Sequence, residues 1–155
     1  VILGASSCRY LLDTNIIVYP HDSRDTTRQI RARELLILLQ QKQNAALPAQ
    51  ALAEFVSVAL RKLSPPLDVN LIYLQIEALK AAFPVLPLTT EVVLEAVLGV
   101  RDHQFSYYDA QIWAVAKVHQ ISVILSEDFN NGAVIDGVTF LNPFDKSFDI
   151  NLIRS

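Results

Sequence analysis

Short apolar runs alternate along this chain with longer stretches of helical periodicity. "YLL" (10–12), "AAL" (45–47), "PVLPL" (84–88), "ISVIL" (121–125) and "VTF" (138–140) are too short for helices and lack the apolar–polar alternation of a half-exposed strand. Each reads as a strand buried on both faces. Between them, residues 26–43, "TTRQIRARELLILLQQKQ", open with a threonine cap. Residues 49–63, "AQALAEFVSVALRKL", place Ala49, Leu52, Ala53, Val56, Ala59, Leu60 and Leu63 on one helical face. Further helical stretches run over 68–83, 90–101 and 107–119. Strands alternating with helices predict an α/β domain with a mainly parallel sheet. In such sheets ligands bind beyond the carboxyl ends of the strands, where the strand order reverses.

That rule draws attention to acids. Asp13 follows "YLL" directly, and Asp128 follows "ISVIL" after Ser126 and Glu127. Two more acids interrupt apolar helical faces. Glu54 has Ala51 and Val58 at i−3 and i+4, and Asp109 sits in "SYYDAQIWAVA" beside Ile112, Trp113 and Ala116. Local structural roles compete with chemistry at each position. Asp13 in "DTN" fits an Asx-turn or the cap of a short helix over "NIIVY", and Asp128 in "SEDFNNG" fits a turn. "SYYD" has the form of a capping box with Ser106 as cap and Asp109 at the third helical position. Glu54 as a structural residue would need a buried basic partner, and none lies nearby in sequence.

Taken together, carboxylates at two strand ends and on two apolar helix faces would repel one another unless a positive charge neutralised them. Oxygen ligands without His or Cys select Mg²⁺ or Mn²⁺, ions that keep several waters and commonly act on phosphates. Such an ion can polarise a phosphodiester and activate a water for its hydrolysis without a protein nucleophile. His21, His103 and His119 form no metal-ligand spacing. Glu127 is adjacent to Asp128, and alternation along a strand sends neighbouring side chains to opposite faces, so only one of the two points into a shared cleft.

Composition narrows the alternatives. The 155 residues make one ordinary domain, and 52% hydrophobic against 19% charged residues describes a core-rich chain. A single cysteine, Cys8, allows no internal disulfide and no cysteine-based zinc cluster, compatible with a reducing cytosol. No apolar run approaches the ~20 residues of a membrane helix, and "VILGASSC" is too short, and lacks the basic start, of a signal peptide. These features predict a cytoplasmic protein. There is no methionine, even at position 1, so residues 1–8 are set aside. A net charge of −3 argues against a nonspecific nucleic-acid coat, though not against a local basic patch.

"YLLDTNIIVY", "ALAEFVSVAL", "SYYDAQIWAVA" and "VILSEDFNNG…IDGVTFLNPF" resemble, in order and spacing over residues 9–144, the successive motifs of the PIN-domain ribonucleases, particularly the VapC-type toxins of bacterial toxin–antitoxin pairs. The resemblance implies a three-layer α/β/α fold in a single domain over 9–147, with 1–8 and 148–155 as terminal extensions. It implies that Asp13, Glu54, Asp109 and Asp128 are the catalytic, metal-binding quartet, and the family's serine/threonine-x-aspartate pattern favours Asp128 over Glu127. Asn15 and Ser126 match supporting polar positions. A Mg²⁺- or Mn²⁺-dependent endoribonuclease is implied, leaving a 3′-hydroxyl and a 5′-phosphate, and so are homodimerisation and inhibition by a small cognate antitoxin.

Arg24, Arg28 and Arg31 fall at i, i+4, i+7 and would line one helical face able to contact RNA phosphates if the helix begins early enough. With Asp22, Asp25 and Glu34 close by, a solvated helix face is the competing reading. Tyr107 and Tyr108 flank Asp109, where they serve either core packing or base stacking. Two other function classes remain to be weighed. A non-catalytic PIN-like interaction module predicts a broken quartet, which this sequence does not have. A receiver-like phosphoacceptor needs a lysine at a late strand end, where this chain carries Ser126-Glu127-Asp128.

Overall fold

The computed structural model describes residues 8–155; residues 1–7, most of the segment set aside above, lie outside the described part. Six strands form one sheet: β1 (Tyr10–Leu12), β2 (Ala45–Pro48), β3 (Val85–Leu86), β4 (Val123–Leu125), β5 (Val134–Ile135) and β6 (Val138–Leu141). Their order is β3-β2-β1-β4-β6-β5, parallel throughout except for β5, which returns antiparallel against β6. The helices are α1 (Thr14–Val18), α2 (Thr26–Lys42), α3 (Ala49–Arg61), α4 (Val69–Ala82), α5 (Thr90–His103), α6 (Tyr107–Val118) and α7 (Asn151–Arg154).

The continuous apolar runs of the central strands follow from burial on both faces. Tyr10, Leu12, Ala45, Leu47, Val123 and Leu125 join one core with Ile16, Leu35 and Phe55 of α1, α2 and α3. Their neighbours Leu11, Ala46 and Ile124 point the other way, into a second core with Val92 and Ala96 of α5 and Trp113 of α6. Strand side chains alternate between faces, so one unbroken run feeds two helical layers. The result is a three-layer α/β/α fold. α5 and α6 approach closely at Gly99, where a Cβ would stand 2.7 Å from the Trp113 ring.

Several local expectations change. α2 is capped by Asp25, whose carboxylate accepts the Arg28 amide, and not by a threonine. On α3 the buried stripe is Ala51, Phe55 and Ala59; Ala53 is exposed and Leu60 is 40% exposed. Leu52 and Val56 of the expected face still pack partly buried against the first core, beside the buried Phe55. The short elements α1, β5 and α7 lie outside the elements read from periodicity, being too brief to show a period. Phe148 and Ile153, at the C-terminal end, are buried in the first core.

Candidate active site

β1 and β4 are parallel neighbours, Leu12 opposite Leu125, yet β2 and β3 lie on one side of β1 and β4, β6 and β5 on the other. The strand order therefore reverses between them, and the chain leaving each strand end opens into the same crevice. Asp13 follows β1 and Asp128 follows β4. Glu54 comes from the second turn of α3 and Asp109 from the first turn of α6.

Asp13 is 8% exposed and doubly employed. One carboxylate oxygen accepts the Thr14 amide at 2.7 Å, capping α1; the other accepts the Ser126 hydroxyl at 2.6 Å. The cap read from sequence is thus real and coexists with placement in the crevice. Burial, reinforced by the charges of Asp128 and Glu54 and opposed by those two hydrogen bonds, pushes its pKa up to about 6. Asp128 is also raised, by burial first and then by Glu127, Asp109 and Glu54, while a hydrogen bond from Asn15 acts the other way. Asp13 thus feels the charges of Asp128 and Glu54, and Asp128 those of Asp109 and Glu54.

Among the described residues none of the four makes an ion pair. Glu127 contrasts with them. It takes the Arg28 guanidinium at 2.9 Å and the Tyr19 hydroxyl, and Arg28 lies over the Tyr19 and Phe144 rings. Whereas Asp128 makes no ion pair and accepts a hydrogen bond from Asn15, Glu127 is paired on the α2 side of the loop. Asp102 is likewise spent on Arg101 at 2.7 Å. Ser106 stands at the start of α6 without a side-chain capping bond, so the capping box that would have explained Asp109 is not formed.

Among the described residues, no three His, Cys, Asp or Glu side chains are drawn together closely enough to hold a metal ion as they stand. The donors nonetheless suit a hard cation in kind: carboxylate oxygens without a basic partner, and Asn15 Oδ1, buried with no hydrogen-bond partner. The Asn15 amide nitrogen meanwhile reaches Asp128 at 3.2 Å and Ser126 at 3.4 Å.

The sequence model of the PIN domain family matches residues 10–132. The chain belongs to the PIN domain family. Solved structures share the PIN fold at low sequence identity. A toxin–antitoxin complex from Klebsiella pneumoniae superposes with a TM-score of 0.63 at 18% identity, covering 86% of this chain and 97% of that one. VapBC2 from Rickettsia felis, bound to a DNA fragment from its promoter, gives 0.60 at 14% identity over 84% and 96%. The sarcin–ricin-loop-cleaving toxin VapC20 of Mycobacterium tuberculosis gives 0.58 at 16% identity over 74% and 86%. Comparison with curated proteins finds no significant sequence match.

On this PIN fold the arginine stripe is not a single helical face. Asp25 starts α2 at Thr26, so Arg24 lies outside the helix and folds back on Asp22 at 2.9 Å, while Arg28 is held by Glu127 and Asp25. Capping and ion pairing, both invisible to a spacing rule, redirect two of the three arginines. The spacing also passed over three residues that touch Glu54 or its partner. Thr14 donates to Glu54 at 2.6 Å, Gln50 to Glu54 at 2.9 Å and Gln111 to Gln50 at 2.8 Å. Gln111 carried a signal: an uncharged polar side chain within the apolar run "AQIWAVA" needs a buried partner.

Proposed function

We propose that this PIN-domain chain is a metal-dependent endoribonuclease, hydrolysing RNA phosphodiester bonds with Mg²⁺ or Mn²⁺ as cofactor. The observation that carries the reading is the set of acids without ion pairs at the reversal of strand order, beside a neighbouring acid, Glu127, that is fully paired. A fold gains nothing from gathering acids without basic partners, with Asp13 among them buried, unless a cation repays the cost. When bound, such a cation supplies neutralisation of the phosphodiester and a lowered pKa for the attacking water. Asp13, Glu54, Asp109 and Asp128 would hold it. Ser126 and the Thr14 amide fix the Asp13 carboxylate, and Asn15 fixes Asp128. The intact acid set counts against a purely non-catalytic interaction module.

The reading extends to biology. The toxin–antitoxin complexes among the structural neighbours support a toxin held inactive by a small cognate antitoxin protein, and in this reading it acts in the cytosol as a homodimer. Arg31, together with Arg24 and Arg28 once RNA competes for their carboxylate partners, would contact phosphates.

Incubation of the purified chain with total RNA in Mn²⁺, with EDTA and Asp13→Asn as controls and with mapping of the cut ends, tests the proposal. Cleavage at defined positions that EDTA and the substitution both abolish is expected. Cleavage that persists in EDTA, or equally in Asp13→Asn, would overturn it.

A further inference from the structure

A glutamine within an apolar helix face is an expensive choice. Gln111 is 4% exposed, on the segment of α6 that packs Ala110, Ile112 and Trp113 into the core. Burying an amide is tolerated when it is hydrogen-bonded, and any apolar residue of similar size would avoid the cost. Its amide nitrogen donates to Gln50 Oε1 at 2.8 Å; Gln50 Nε2 donates to Glu54 Oε1 at 2.9 Å and to the Tyr108 carbonyl at 3.3 Å.

The direction of this chain is chemically forced. An ionised carboxylate only accepts, so Gln50 must turn its NH₂ toward Glu54. Its carbonyl oxygen then faces away and needs a donor, which Gln111 supplies. At the other carboxylate oxygen, Thr14 Oγ1 donates to Glu54 Oε2 at 2.6 Å. Each Glu54 oxygen thus spends one acceptor position and keeps another. The side chains involved come from α1, α3 and α6, the helices that carry or adjoin Asp13, Glu54 and Asp109.

We infer that Gln111 and Gln50 are positioning residues: an amide relay from the α6 core face that, with Thr14, aims the free lone pairs of Glu54 into the crevice for a divalent cation. The inference rests on the metal-dependent reading above and adds to it residues outside the acid set. Because the relay acts through one contact, its two members are not independent. Removing Gln50 releases the Glu54 oxygen, removing Gln111 leaves Gln50 without its anchor and loosens that same contact, and removing both releases nothing more than removing Gln50.

Mn²⁺ binding to the full chain by titration calorimetry, for the parent, Gln50→Met, Gln111→Met and the double variant, tests this, with thermal melts alongside. Gln50→Met is expected to bind Mn²⁺ about ten-fold more weakly, the scale of lost partners to metal ligands, and Gln111→Met more weakly than the parent by up to that factor. The double variant is expected to match the weaker single variant, and Gln111→Met to melt no lower than the parent because an apolar side chain replaces a buried amide. Single variants that bind like the parent, or losses that multiply in the double variant, overturn the relay. Should Gln111→Met fold poorly, Gln50→Met alone decides, since Gln50 is half-buried at the start of α3. A parent that binds no Mn²⁺ refutes the metal reading and the relay together; a binding parent with unchanged variants refutes the relay alone.

Discussion

Asp13→Asn should make the chain more stable while destroying the proposed activity. The Asp13 carboxyl is raised from an ordinary 3.8 to about 6, chiefly by burial. A raised acid contributes stability that is fully present below its unfolded pKa and is lost as pH rises through its folded one. The difference amounts to about 3 kcal/mol carried by the folded chain at neutral pH. Asparagine keeps an oxygen to accept the Thr14 amide and offers an NH₂ to the Ser126 oxygen, but the Ser126 proton must turn elsewhere. We therefore expect a net gain of about 1–3 kcal/mol at pH 7.5, each kcal/mol raising Tm by about 2–4 °C. At pH 4.5, where the buried carboxyl is mostly protonated, the advantage should shrink by about 2 kcal/mol. Melts of parent and variant in EDTA at the two pH values measure this, because titrating groups that do not interact with Asp13 cancel in the comparison. Added Mn²⁺ should then raise the melting temperature of the parent and not of the variant. A variant less stable than the parent by the same margin at both pH values would refute the argument that the carboxylate is held at a cost.

Two adjacent acids should behave oppositely. Asp128→Asn should abolish RNA cleavage in Mn²⁺. Glu127→Gln should retain most of it and lose at most about 1 kcal/mol of stability, since the Arg28–Glu127 pair is partly exposed; equal losses of activity in the two variants would contradict the assignment. Gly99→Ala should destabilise the chain by about 1–3 kcal/mol in urea melts, because the Trp113 ring stands 2.7 Å from the added Cβ and both helices must shift.

The layered architecture was legible because its cause is local. A run such as "ISVIL" without alternation has to be buried on both sides, and helical stretches between such runs have to cover those sides. Asp13 and Asp128 stood out for the same reason, as acids where apolar strands end. Other features were illegible for want of a local signal. β5 is 2 residues long and shows no period, and the face of α3 read from spacing lies beside the stripe that the sheet buries, Ala51, Phe55 and Ala59. The arginines of residues 24–31 share a spacing, but whether each is free depends on which carboxylates fold beside them.

The sequence by itself determined the central strands and the longer helices, and which acids lie at strand ends or among apolar neighbours. Tertiary structure decided how those acids are used. Glu127 is silenced by Arg28, 99 residues away, and Gln50 is oriented by Gln111, 61 residues away. Periodicity reports the burial of one segment at a time, whereas pairing and orientation depend on which segments the sheet brings side by side. The reversal of strand order between β1 and β4 made that choice, by opening both strand ends into one crevice.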